Sequence, residues 1–204
     1  MFPETIETER LRLRPRWPET VDVHECYEIC SADPGIDEVT EYVTWSPHET
    51  VKETQEFLER GKSKWEDAEA AGYVIRPKPG EDGAGEIAGC TGIGIDWDRR
   101  TAVLGLWLRK RFWGRGYSGE RAAALCEIAF DRLDLELVAV SHHPDNEQSA
   151  RAIEKYVDRF GGRREGVLRN HLEYQDGSVH DEVRYTISQR EWREATDGGT
   201  DVLD

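Results

Sequence analysis

The 204-residue chain has no apolar run of 18 residues or more and no basic-then-apolar start. Neither a membrane span nor an export signal is therefore predicted, and the expected location is cytoplasmic. Lysine is scarce, with 6 residues against 21 arginines, and these 27 cations face 42 acids for a net charge of −15. Nucleic-acid binding wants a basic face, so no nucleic-acid partner is expected. The acid-rich, lysine-poor composition looks like a halophile-like surface, since a Debye length of about 3 Å near 1 M salt damps self-repulsion. Cys26, Cys30, Cys90 and Cys126 show no framework spacing. Cys26 and Cys30 read as packing on a helix, not as a disulfide or metal pair. His142 and His143 are adjacent near a strand end and point to opposite faces, which is poor chelating geometry, so no metal site is expected. The G-x-x-x-x-G-K-[S/T] loop of Walker-type NTPases is missing.

What is present centres on residues 104–118, LGLWLRKRFWGRGYS. They read as a buried strand, a short loop with two glycines and four cations, and the start of a helix. The helix continues through Ala122, Leu125, Ile128, Phe130 and Leu133 at helical spacing. Free N–H groups at a helix N-terminus, with the positive end of the helix dipole, bind anions. Gly114 and Gly116 allow positive φ and close approach to a ligand. The segment is suited to a phosphate or pyrophosphate, although two glycines also suffice for a tight strand-to-helix turn.

About thirty residues on, Leu135 to Ser141 is apolar and β-branched, as in a buried strand. His142-His143-Pro144-Asp145-Asn146 breaks it, and residues 146–160 read as a helix in which Asn146 serves as a cap. Thr8 to Pro15, TERLRLRP, alternates like a half-exposed strand.

Three of these segments carry a resemblance. Arg111-x-x-Gly114-x-Gly116 resembles the acetyl-CoA pyrophosphate loop of the GNAT N-acetyltransferases. Asn146-x-x-Ser149 with Glu154-Lys155 resembles the segment after their fifth core strand. TERLRLRP, Trp45-Ser46-Pro47, residues 179–185 and the closing Arg190-Glu191-Trp192 resemble the branch of ribosomal-protein N-terminal acetyltransferases. The likeness spans roughly residues 6–193, and one acyltransferase domain over 1–193 is expected, with a mobile tail at 194–204. The fold expected is α+β: a mixed, mostly antiparallel sheet of about seven strands with helices on both faces. The resemblance further implies a sheet splayed between the fourth and fifth strands, here residues 101–109 and 136–141.

The resemblance also implies roles. Acetyl-CoA would donate an acetyl group to a primary amine, foremost a protein N-terminal α-amine such as that of a ribosomal protein. Small amines (a polyamine, amino acid or antibiotic) and a non-catalytic acyl-CoA-binding domain stay open, as do monomer and homodimer. Backbone amides of Leu106, Trp107, Leu108 and Arg109, with a bulge at Gly105, would hold the pantetheine arm and acetyl oxygen. Arg111, Trp113, Gly114, Arg115, Gly116, Tyr117 and Ser118 would surround the pyrophosphate, helped by the cations Arg109, Lys110, Arg111 and Arg115. Asn146 would contact the pantetheine or an ordered water, and Ser149 would protonate the departing sulfur. Glu173 is the first candidate for the base, although beside the Gln175–Ser178 turn it also reads as a solvated charge; Tyr117 and Tyr174 follow it. One departure stands out. The family's E-K-x-G-F becomes Glu154-Lys155-Tyr156-Val157-Asp158-Arg159-Phe160-Gly161, nearly one additional helical turn that would shift the acceptor side.

Overall fold

The computed structural model describes residues 1–196. Among them the chain runs β1 (Ile6–Glu7), β2 (Leu11–Pro15), α1 (Val23–Ala32), α2 (Ile36–Thr40), α3 (Val51–Glu66), β3 (Ala70–Pro77), β4 (Gly89–Asp96) and β5 (Thr101–Leu108). Then follow α4 (Tyr117–Glu127), β6 (Leu137–His142), α5 (Glu147–Arg159), β7 (Arg163–Glu173), β8 (Val179–Ser188) and α6 (Gln189–Thr196). The strands form one sheet in the order β1-β2-β3-β4-β5-β6-β8-β7. The eighth strand, beyond the seven expected, is β1, whose two residues are too short to show alternation. Residues 194–196 continue α6, and the rest of the expected tail, 197–204, lies outside the described residues.

Alternation along the strands divides the core. On β3, Tyr73 and Ile75 join the larger cluster with α4, α5 and Trp192, whereas Val74 joins Cys26, Cys30 and Leu58 beneath α1 and α3. Side chains two apart share a face, so α4 and α5 cover one side of the sheet and α1 and α3 the other. All four cysteines are buried free thiols.

The feature that makes a site is the β5–β6 contact. Every other neighbouring pair is antiparallel, but β5 and β6 are parallel and joined through α4. They pair only from Thr101↔Leu137 to Val103↔Ala139. Beyond that point β5 runs on to Leu108 with no partner on that side, which opens the splay implied by the resemblance.

The departure in α5 has a structural counterpart. Tyr156 and Val157 bury themselves in the last turn of α5, followed by Phe160, which meets Trp192 at 4.8 Å between ring centroids. Gly161 then turns the chain with φ +72°, and Gly162 passes close against the β8 backbone at Thr186. The added residues complete a buried turn of helix before β7 begins.

Candidate active site

The splay leads into a cavity of about 930 Å³, near the upper end of the range for small-molecule sites. Its walls come from residues 8–10, β5, the loop before α4, the first turns of α4, the length of α5, and α2 with the residues after it. Leu106, Trp107, Leu108, Trp113, Gly114, Arg115, Gly116, Tyr117, Ser118, Asn146 and Ser149 all line it. Segments separated by about thirty residues in sequence thus meet around one space.

The β5 wall supplies backbone groups. Leu137 N–H donates to the Arg100 C=O at 3.3 Å across the β5–β6 contact. Backbone groups alternate sides along a strand, so even-numbered residues of β5 aim theirs toward β6. β6 has diverged by then, which leaves the N–H groups of Leu106 and Leu108 facing the gap. The Leu108 carbonyl is taken by the Trp113 indole N–H at 2.8 Å, which also fixes that ring in the cavity wall. The bulge expected at Gly105 is not formed, because β4 and β5 pair without interruption from Gly89↔Leu108 to Asp96↔Thr101. Divergence of β6, not a bulge, frees the amides.

The loop ends on two left-handed glycines, Gly114 at φ +75° and Gly116 at φ +81°, the latter immediately preceding α4. Phe112 and Trp113 spend their N–H groups on the Arg109 and Lys110 carbonyls, and Gly119 and Glu120 return theirs to Gly116. Among the described residues, the N–H groups of 114–118 have no backbone acceptor, so the anion-binding set is narrower than the 111–118 implied by the resemblance. Arg10 holds the loop in place. Its guanidinium donates to the Arg115 carbonyl at 2.8 Å and is anchored by Glu120 at 2.7–2.8 Å, which also accepts from Thr8 Oγ1 and the Arg10 N–H. Residues 114–118 all line the cavity, so their unpaired N–H groups border it.

The loop cations serve otherwise than the sequence suggests. Arg109 lies outside the cavity lining, its N–H on the Ala88 carbonyl and its guanidinium on Asp33 at 2.6 Å and on Glu86. Arg111 is likewise outside, bound to Glu86 at 2.7 Å. Lys110 pairs with Glu38, and Arg115, though in the lining, pairs with Asp82 at 2.7 Å. Opposite charges over short range outcompete a free loop in so acidic a chain.

On α5, Asn146 Oδ1 accepts from the Ser149 N–H at 2.9 Å, so the cap reading holds while both residues face the cavity. Tyr117 is buried and its hydroxyl donates to Glu81 at 2.8 Å. Glu173 is exposed at the end of β7, paired with Val179, and is not in the cavity lining. Tyr174 stands beside it with its ring 4.7 Å from His180, also outside. No cluster of three or more His, Cys, Asp or Glu suited to a metal occurs among the described residues.

Sequence reading missed three parts of this site: Thr8 and Arg10, the wall formed by α2 and Tyr42-Val43, and the α5 cations Lys155 and Arg159. Only α2 left a usable trace, the Pro34-Gly35 break before Ile36, Val39 and Val43 at helical spacing. The glycine spacing also needs care. Gly114, Gly116 and Gly119 satisfy the G-x-G-x-x-G dinucleotide fingerprint, within a parallel strand–helix–strand unit. That fingerprint calls for an acid about 20 residues on to bind the ribose hydroxyls. β6 holds Leu-Val-Ala-Val-Ser-His and no acid.

A parallel strand pair pried open beside a glycine loop at a helix N-terminus sets free strand amides next to an anion-binding turn, the arrangement that the resemblance to acetyl-CoA-dependent transferases implies. The sequence matches the acetyltransferase (GNAT) domain family over residues 10–156. It is 27% identical over 192 residues to the "Uncharacterized N-acetyltransferase p20" of Bacillus licheniformis, covering 93% of this chain and 98% of that one. YdaF of Bacillus subtilis (strain 168), provisionally named a ribosomal N-acetyltransferase, is 37% identical over 98 residues, 48% of this chain and 51% of YdaF. Among solved structures, Mycobacterium smegmatis RimJ, in complex with CoA-disulfide, superposes with a TM-score of 0.76 at 20% identity, covering 93% of this chain and 90% of that one. This chain belongs to the GNAT family of acetyltransferases.

Proposed function

We propose that the protein transfers the acetyl group of acetyl-CoA to a protein N-terminal α-amine, with both substrates bound together. The observation that carries this reading is the continuity of the cavity. One space joins the unpaired N–H groups of 114–118, the free amides of Leu106 and Leu108, the Ser149 hydroxyl and the α2 wall. The first would hold the pyrophosphate, and the second would align the pantetheine arm and polarise the acetyl carbonyl. YdaF's name supports a protein acceptor.

In this reading the amine nitrogen forms a bond to the acetyl carbon, the carbon–sulfur bond breaks, the sulfur takes a proton from Ser149 Oγ, and Ser149 regains a proton from solvent. The amine's own proton goes to solvent. An α-amine with a pKa of about 7.7–8.0 keeps roughly a tenth to a sixth of its population unprotonated at pH 7, so it needs no strong base. Glu173, exposed and outside the cavity lining, is not required for that step.

Thiol release from acetyl-CoA, measured over N-terminal peptides of ribosomal proteins and a panel of small amines, tests the reading. Peptide-dependent turnover is expected, reduced about 10²-fold in kcat by Ser149→Ala, at the lower end for a lost general acid. Glu173→Gln is expected to stay within about threefold of the parent, whereas a loss near 10²-fold would restore the carboxylate as base. Turnover with small amines alone would reassign the acceptor, and acetyl-CoA binding without turnover on any amine would defeat the enzymatic assignment proposed here.

A further inference from the structure

In a chain with 42 acids and 27 cations, a cation beside a cavity is ordinarily neutralised by a neighbour. That holds for Arg10 on Glu120, Arg115 on Asp82 and Arg151 on Glu147. Lys155 and Arg159 break the pattern. Both line the cavity, and among the described residues neither has an acid within 4.0 Å. They stand four residues apart on α5, on the face that also carries Ala152 and Tyr156 into the cavity. The helix dipole favours a cation near a C-terminus. That accounts for Arg159 being basic, but not for two cavity-facing cations left without acid partners in so acidic a chain.

Their position relative to the loop is fixed by the packing of α4 on α5. A Cβ built on Gly119, in the first turn of α4, would lie 3.8 Å from Tyr156 Cβ. Lys155 is the residue before Tyr156, and Arg159 is one turn farther along. The two cations therefore line the same cavity as the N–H groups of 114–118, from the C-terminal turn of α5, whereas Asn146 and Ser149 line it from the N-terminal turn. A ligand whose pyrophosphate sits on those N–H groups and whose acyl arm follows β5 has its nucleoside end left for this corner. In CoA that end bears a 3′-phosphate, a monoester with close to two negative charges near neutral pH, which matches two adjacent cations.

We propose that Lys155 and Arg159 bind the 3′-phosphate of CoA and make the enzyme discriminate CoA from 3′-dephospho-CoA. This rests on the acetyl-CoA reading above. It also moves the charge recognition of the ligand from the Arg109–Arg115 loop, whose cations are held by Asp33, Glu38, Asp82 and Glu86, onto α5.

Calorimetric titration of the full chain with CoA and with 3′-dephospho-CoA tests it without reference to turnover. The parent is expected to bind CoA about 10-fold or more tightly, the scale of one to two charge-assisted contacts. Lys155→Gln and Arg159→Gln should each weaken CoA by about 3- to 10-fold and leave dephospho-CoA nearly unchanged, so the double variant treats the two ligands alike. Arg169→Gln, an exposed β7 cation outside the cavity lining, should alter neither. Competition by adenosine 3′,5′-bisphosphate, stronger than by adenosine 5′-phosphate on the parent protein, supports the assignment independently of any variant. Equal affinity of the parent for CoA and dephospho-CoA overturns it, as do variants that weaken both ligands equally. Failure of either ligand to bind refutes the acetyl-CoA reading instead, and this inference with it.

Discussion

Replacing Gly116 by alanine probes the loop at the point where the proposed pyrophosphate contact depends on backbone conformation. Gly116 has φ +81° and ψ 2° as the residue preceding α4. An L-residue with a Cβ is disfavoured there by about 1–2 kcal/mol. The added Cβ would also come within 3.3 Å of Arg10 Nη2, the end of a flexible side chain that can yield. The total cost is therefore about 1–2 kcal/mol, and its place depends on the empty loop. If the loop keeps its turn without ligand, the folded state carries the strain. Tm then falls by roughly 2–8 °C, at 2–4 °C per kcal/mol for a chain of this size, and the Kd for CoA is unchanged. If the empty loop relaxes and reforms on the pyrophosphate, stability is preserved and Kd rises about 5- to 30-fold.

The Arg10 hydrogen bond to the Arg115 carbonyl favours the first outcome. Urea denaturation and calorimetry with CoA measure both terms, and their sum should be about 1–2 kcal/mol in either case. Gly114→Ala, at φ +75° with open space around its Cβ, should show the strain with no contact. Gly105→Ala, with neither positive φ nor a neighbour within 4 Å, should show almost nothing. A summed loss below about 0.5 kcal/mol for Gly116→Ala, or equal damage from Gly105→Ala, would refute the argument that these glycines are there for their dihedral angles.

Burial holds the His48 imidazole below its ordinary value of 6.5, where the ring lies between Trp45 and Phe57 with Nδ1 2.7 Å from Thr54 Oγ1. The unfolded chain takes up that proton more readily, so the contribution is complete above 6.5 and is lost as the pH falls through the folded-state value. His48→Gln should accordingly flatten the decline of urea stability below about pH 6.5, and parallel pH curves for parent and variant would remove His48 as its source. Gly162→Ala would set a Cβ 2.4 Å from the Thr186 carbonyl oxygen and 2.7 Å from Ile187 Cγ1. Backbone cannot yield as a side chain does, so a loss of about 1–3 kcal/mol or more is expected by denaturation. A neutral result would mean that the last turn of α5 meets β8 more loosely than described.

The local elements of this protein are written in its sequence. The strand–loop–helix at 104–133 is legible because periodicity changes from strand to helix across two glycines that other residues replace only under strain, and both take positive φ. The Asn146 cap follows from the side chain's reach to the third residue of its own helix. The family likeness is carried by those same short segments, each self-contained within one turn and its flanks.

What depended on tertiary structure was every property set by a partner distant in the chain. Whether a loop arginine meets a phosphate or an acid is decided by Asp33 and Glu86, 76 and 23 residues from Arg109, and no local pattern encodes that pairing. The loop itself is fixed by Arg10, 105 residues from the carbonyl it holds. The amides of Leu106 and Leu108 are free only because β6, reached through α4, turns away after three pairs, so the expected bulge at Gly105 is unnecessary. Glu173 reads alike in sequence whether it faces a substrate or solvent, and only the position of β7 at the sheet edge separates the two. Sequence periodicity reports which way a side chain points relative to its own backbone; what it points at is set by how the elements pack.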